Sequence, residues 1–289
     1  MSTTRVPSPA EVPDVAEAPV PRKAGRNLPA AVAVGLALGG LILATLLTNR
    51  DLFAAVIAAA IAVGTVELCK AIDRTGAHAA KTPLVLGGIV TIGVAYQRGT
   101  AALLFGLVVT CLACLAWRLP EGVPGFVRDW TASVFVATYV PFLAGFAAML
   151  TAADDGVARI VAFIATVVCS DVGGYTAGVL KGRHPLAPTV SPKKTWEGFA
   201  GSVLACMLCG VLLVSSIMEI AWWQGALFGI ALAVAATIGD LGESLVKRDI
   251  GIKDMGSLLP GHGGLMDRLD SLLIAAPISW LLLTAWNPP

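Results

Sequence analysis

Nine apolar runs occupy most of this sequence, and nearly all approach the length of a bilayer core. They lie at approximately Leu28–Leu47, Leu52–Cys69, Thr82–Tyr96, Thr100–Trp117, Thr131–Leu150, Val157–Leu180, Phe199–Ile220, Trp222–Val246 and Leu269–Trp286. A helix needs about 20 largely apolar residues to cross the hydrocarbon core, so the third run is the weakest of the nine. Only 13% of the residues are charged and 56% are hydrophobic, where a soluble domain carries about 25% charged residues. Unpaired backbone groups are intolerable in hydrocarbon, and runs this long and continuous do not suit barrel strands. The expected fold is therefore an all-α polytopic membrane protein with about nine transmembrane helices. No loop is long enough to hold a soluble domain, and nothing in the charge pattern asks for a nucleic acid.

The cations fix the expected orientation. With nine spans, 17 of the 20 Lys and Arg fall on the side shared by the N-terminal tail and the loops after spans two, four, six and eight; only Arg50, Arg98 and Arg159 fall on the other. The positive-inside rule then puts the N-terminus and the charged loops in the cytoplasm. Residues 1–27, rich in Pro, Ala and Val without helical or strand period, read as a disordered cytoplasmic tail. The following run is too long for a secretory signal and ends in Thr48-Asn49-Arg50-Asp51, with no small-residue cleavage site. The chain divides into spans one to five, residues 28–150, and a C-terminal part, 151–289, holding spans six to nine and the charged loops 181–198 and 247–268. Cys111-x-x-Cys114 and Cys206-x-x-Cys209 lie inside apolar spans with no histidine near in sequence, so they read as small buried hydrophobes.

Polar chemistry concentrates in the C-terminal part. The stretch Ser244–Asp270 packs Lys247, Arg248, Lys253 and Arg268 with Asp249, Asp254, Asp267 and Asp270 around a Pro-Gly-His-Gly-Gly turn. Asp171 sits inside span six, where an ionisable residue costs about 2.5–3.5 kcal/mol and a helix contact has no need of one. The glycines at 174, 178 and 182 beside it form a stripe suited to close helix packing. Asp240 closes span eight, and Asp267 and Asp270 share a face of span nine, so several carboxylates enter one mouth. Hard carboxylate donors without clustered histidine point to magnesium, which takes one or two carboxylates plus substrate phosphates. Capping of span nine accounts for one of these acids, but not for all four.

Before span seven, Ser191-Pro192-Lys193-Lys194-Thr195-Trp196-Glu197-Gly198 reads as a helix start, with Ser191 as cap and Pro192 as first residue. Lysines in a first turn oppose the helix dipole unless an anion is bound there. Trp196 reads as an interfacial anchor. In the loop that follows span eight, Gly263 and Gly264 let backbone amides approach a phosphate.

Together these residues resemble the phosphatidate cytidylyltransferases, the CDP-diacylglycerol synthases. The family signature is met by Ser244, Lys247-Arg248, Lys253-Asp254, His262-Gly263-Gly264, Asp267-Arg268 and Asp270 without a gap. Ser191–Gly198 and the aspartate of span six are similar to the family as well, so the resemblance covers about 157–286. It implies transfer of the cytidylyl group of CTP to phosphatidate, releasing pyrophosphate, with magnesium required and a second cation left open. By carry-over, Asp240 and Asp267 are the first metal ligands, with Asp171 and Asp270 next. Lys247 and Arg248 join Asp240, Asp267 and Asp270 in catalysis. Ser191, Lys193, Lys194, Thr195, Lys253, His262, Gly263, Gly264 and Arg268 contact substrate, with His262 serving the turn or a phosphate before acid–base work. The resemblance also implies a homodimer in a bacterial-type inner membrane, with the site open to the cytoplasm. A transporter of a phosphorylated solute is the alternative from another class, disfavoured because the polar residues gather toward one face and one half of the chain. A phosphotransferase using CDP-activated lipid is also disfavoured, since its run of spaced aspartates is absent.

Overall fold

The computed structural model describes residues 28–258 and 263–287. The expected N-terminal tail and His262 lie outside the described residues. The described chain is a helical bundle: α1 (Leu28–Thr48), α2 (Arg50–Ile72), α3 (Lys81–Arg98), α4 (Thr100–Arg118), α5 (Phe126–Ala137), α6 (Leu143–Ala152), α7 (Gly156–Lys181), α8 (Trp196–Met218), α9 (Trp222–Ile250) and α10 (Met266–Trp286). A π-helical turn, Thr138–Phe142, joins α5 to α6 into one rod, because Pro141 has no amide to continue an α-helical ladder. Seven rods are long and apolar enough to cross a membrane, while α3 falls outside that set and α1 counts only as a shorter apolar helix over Ala33–Thr48.

Each rod is bounded by local chemistry. Asn49 caps α2 by accepting from the amides of Asp51 and Leu52. Gly251, at φ 77°, ends α9 in the left-handed conformation that glycine adopts without strain. Charged residues at the rod ends are tied down: buried Arg159 donates to Asp155 at 2.5 Å and to the carbonyl of Asn287, joining the start of α7 to the end of α10. Arg118 pairs with buried Asp129 at 2.7 Å, and Asp129 also accepts from the His78 amide, fastening the α2–α3 and α4–α5 connections together.

Among the described residues two large buried clusters, beside a small one of Ala95, Leu103 and Met149, hold the bundle, and each of the two draws on both ends of the chain. One joins Ile61, Leu68 and Val140 to Met255, Met266 and Leu273; the other joins Leu46 and Phe53 to Phe163, Phe228 and Ala276. The glycine stripe of α7 is spent within the chain: a Cβ on Gly173 would come within 2.7 Å of the Gly201 carbonyl oxygen, and Ser202 of α8 donates to the Ser170 carbonyl at 2.7 Å. The crossing is close enough for backbone contact, as small residues permit. All six cysteines are free thiols, and none is exposed.

One local expectation fails. Ser191–Thr195 is not a helix start but a strand, β2, paired antiparallel with β1 (Pro185–Ala187). The helix begins at Trp196, capped by Thr195, whose Oγ1 accepts from the Gly198 amide at 3.1 Å. Glu197, in the first turn of that helix, accepts from the amides of Arg183 and His184 and so ties the helix start to the segment after α7. Thr195 thus supplies the cap expected of Ser191, and Pro192 sits in a short two-stranded edge that tolerates its missing donor. Lys193 and Lys194 consequently project from a hairpin.

Candidate active site

The hairpin, α7, α8 and α9 enclose a cavity of about 280 Å³, lined by Asp171, Lys193, Lys194, Thr195, Thr237 and Asp240 among others. Local sequence explains the convergence. Gly174 and Gly178 let α8 settle against α7, which turns Asp171 toward α9. Gly239 does the same for α10: a Cβ there would come 2.5 Å from the Asp270 carbonyl oxygen and 3.0 Å from the Ser271 Cα. That approach brings Asp270 beside the last turns of α9. Asp171, Asp240 and Asp270 consequently lie within electrostatic range of one another, with Lys194 and Arg268 as countercharges.

Lys194 closes the mouth by reaching Asp240, its Nζ 2.5 Å from Oδ2, while Ser244 donates to the other oxygen of Asp240 at 3.4 Å. Lys247, on α9, bridges Asp267 at 2.9 Å and Glu243 at 3.3 Å. Arg248 donates to the Val190 carbonyl at 3.3 Å, so it anchors the hairpin tip to α9. Lys247 and Arg248 belong to the final turns of α9, which runs past Val246, and the connecting loop is shorter than 247–268.

Asp267 accepts from Lys247, from the Met255 amide at 3.0 Å and from the Gly264 amide at 2.8 Å. The Met255 amide is shared between both oxygens, so each oxygen of Asp267 meets two donors and the carboxylate is fully occupied within the protein. Gly263, at φ 82°, makes the turn that presents the Gly264 amide. Lys253 is exposed on the same loop, Arg268 is exposed on the first turn of α10, and Ser191 pairs with Ala187 away from the cavity lining.

Three participants were not singled out from sequence. Glu243 is fully buried next to Asp270 and Lys247, and neither of its oxygens makes a hydrogen bond of good geometry. Tyr139, in the π turn, has a buried hydroxyl without a partner, within electrostatic range of Glu243, Asp270 and Asp240. Glu67, on α2, accepts from the Met266 amide at 2.8 Å, 199 residues away. The cost of charge in an apolar span, already applied to Asp171, was the available signal for both glutamates.

Among the described residues, no group of three or more His, Cys, Asp or Glu is gathered closely enough to hold a metal ion by itself. The carboxylates at the cavity are hard oxygen donors of the kind magnesium takes, and Asp240 is partly exposed and already faces a cation. Such an ion takes one or two carboxylates and completes its shell from phosphate and water.

Apolar rods long enough to cross a membrane, around a cavity lined by carboxylates and lysines, define a polytopic membrane protein with a charged pocket. The chain belongs to the Cytidylyltransferase family, whose pattern matches residues 29–286. It is 44% identical over 278 residues to the phosphatidate cytidylyltransferase of Mycobacterium leprae, covering 91% of this chain and 89% of that protein. The protein of the same name from Mycobacterium bovis is 39% identical over 275 residues, covering 91% and 90%. That of Brucella suis is 36% identical over 211 residues, covering 71% and 73%.

Proposed function

We propose that this protein transfers the cytidylyl group of CTP to phosphatidate, giving CDP-diacylglycerol and pyrophosphate. The observation that carries this reading is the meeting of Lys193 and Lys194 from the hairpin with Asp171 and Asp240 from two helices around one cavity. A phosphate oxygen of the lipid attacks the α-phosphorus of CTP, and the bond to the pyrophosphate oxygen breaks in line. The lipid phosphate is already ionised near neutral pH, so no protein nucleophile is needed. The residues work by position and charge, the main resources in transfers of this kind.

In this reading Asp240 and Asp171 would hold magnesium, with Asp270 behind them and Asp267 as a further ligand once a donor to it is displaced. Such an ion would supply charge neutralisation for the phosphates. Lys194 and Lys193 take phosphate oxygens, Lys194 leaving Asp240 to do so. Lys247 keeps Asp267 in place, and Arg248 keeps the hairpin over the cavity. Lys253, Arg268 and His262 meet the remaining phosphate charge, Gly263 shapes the turn whose Gly264 amide holds Asp267, and Thr195 and Ser191 hold the hairpin end.

The proposal extends to the setting: nine membrane crossings that include α1 and α3, the tail and charged loops in the cytoplasm, and a homodimer in a bacterial inner membrane. Residues 151–289 carry the chemistry and residues 28–150 the supporting helices. Purified protein supplied with CTP, magnesium and phosphatidate is expected to release pyrophosphate only when the lipid is present. Well-folded protein that releases none would sink the proposal.

A further inference from the structure

The loop that connects α9 to α10 is held by two carboxylates from opposite sides. Asp267, on α10, accepts the Met255 and Gly264 amides from within the loop's own neighbourhood. Glu67 comes from α2, in the half of the chain that contributes nothing to the signature. It is buried, and its Oε2 accepts the Met266 amide at 2.8 Å. Met266 opens α10, so this carboxylate sits at a helix N-terminus, where free amides and the helix dipole favour an acceptor. The next residue is Asp267.

The glycines of the loop are fitted to the same side chain. A Cβ on Gly256 would overlap the Glu67 carboxyl group, reaching its Cδ at 2.6 Å and its Cγ at 3.1 Å, and nothing else stands as near. A Cβ on Gly264 would come 2.6 Å from Glu67 Oε2 and 2.7 Å from the Gly256 amide nitrogen. Neither glycine has a positive φ, so closeness to Glu67 and to one another, not backbone conformation, excludes a side chain there. Glu67 is enclosed by the loop backbone.

We propose that Glu67 is a positioning residue of the active site: its carboxyl group locks the start of α10 against the loop residues Gly256 and Gly264, and so fixes where Asp267 and Asp270 stand. The inference rests on the cytidylyl-transfer reading for its kinetic consequence, but the lock itself is a property of the backbone and is read separately. The chemistry requires a hydrogen-bond acceptor at that reach, and neither negative charge nor bulk is enough. Glutamine keeps the acceptor and length, methionine keeps the length alone, and aspartate is one methylene short.

The test compares Glu67→Gln with Glu67→Met in the full-length protein. Misplacing reacting groups by about 1 Å costs up to about 100-fold in rate, so a loosened α10 start is expected to lower kcat at least about tenfold in Glu67→Met. KM for CTP should move much less, and Glu67→Gln should recover most of kcat. Amide hydrogen exchange over 255–258 and 263–266, which needs no activity, should rise in the methionine variant and stay close to the parent in the glutamine variant. Equal kcat and equal exchange in the two variants would reduce Glu67 to packing and overturn the proposal; so would a glutamine variant as impaired as the methionine one.

A double-mutant cycle guards against a methionine variant that fails to fold. The three atoms nearest a Cβ on Gly256 all belong to Glu67, so the cost of Gly256→Ala in kcat should be about tenfold in the parent and largely vanish beside Glu67→Asp, which makes room. The same cost in both backgrounds would break the link between Glu67 and the loop. If the parent protein lacks transferase activity while exchange follows the expected order, the lock stands and the functional reading falls.

Discussion

Asp267 illustrates how one carboxylate serves structure and charge at once. Its oxygens accept from Lys247 and two loop amides, so an amide side chain there would aim its NH2 group at a donor. Asp267→Asn is expected to cut kcat by about 100-fold or more, the scale of losing one oriented electrostatic group, while the protein stays folded and inserted. Near-normal pyrophosphate release at saturating magnesium would remove Asp267 from the site. Lys194→Ala frees Asp240 and, in the proposed reading, removes a phosphate contact; its expected effect is a raised half-saturating concentration of CTP or phosphatidate, and an unchanged value for both would exclude Lys194 from binding. At this scale the sequence was informative about residue type, because acids and lysines stand out against an apolar background. Partnership was not legible. Lys194 on Asp240 and Arg248 on the Val190 carbonyl depend on three-dimensional approach, and Glu67 and Glu243 were passed over because each lies in a helix whose apolar pattern otherwise accounts for it.

The helices follow directly from apolar length, and their ends agree with the expected spans to within a few residues for most of them. The hairpin does not. Ser191-Pro192 carries a legitimate helix-start pattern, but pairing with Pro185–Ala187, the cap at Thr195 and the tie from Glu197 to the Arg183 amide prevail. Strand pairing across a turn is a non-local gain that a single-segment reading omits. The α7–α8 crossing, in contrast, was readable from glycine spacing alone. A Cβ on Gly201 would meet Ala177 and come 2.7 Å from the Gly173 carbonyl oxygen. Gly201→Ala should therefore destabilise the protein by about 1–3 kcal/mol, the usual range for overpacking. The measurement is the melting temperature in a fixed detergent, and a value equal to the parent's would show that the helices separate without cost.

For the molecule as a whole, the orientation can be checked from outside the cell. Cysteines introduced at Ser257 and His184, both exposed, should escape a membrane-impermeant maleimide in intact cells, and one at Asp154 on the opposite side should react. The reverse pattern would invert the topology. Apolar length and charge asymmetry carried the architecture this far; they did not reveal that α2 and α6 pack against α10, since lipid-facing and protein-facing apolar residues look alike in sequence. The buried Arg159 adds a point about membrane insertion. It is one of three cations assigned to the far side, yet its guanidinium is enclosed by Asp155 and the Asn287 carbonyl, and Arg50 donates to the Ala153 carbonyl. Those segments also carry Asp51, Asp154, Asp155 and Glu219. In the proposed orientation, the parts of the chain carried across the bilayer would be slightly acidic and partly self-neutralised, which would leave little positive charge to oppose their translocation.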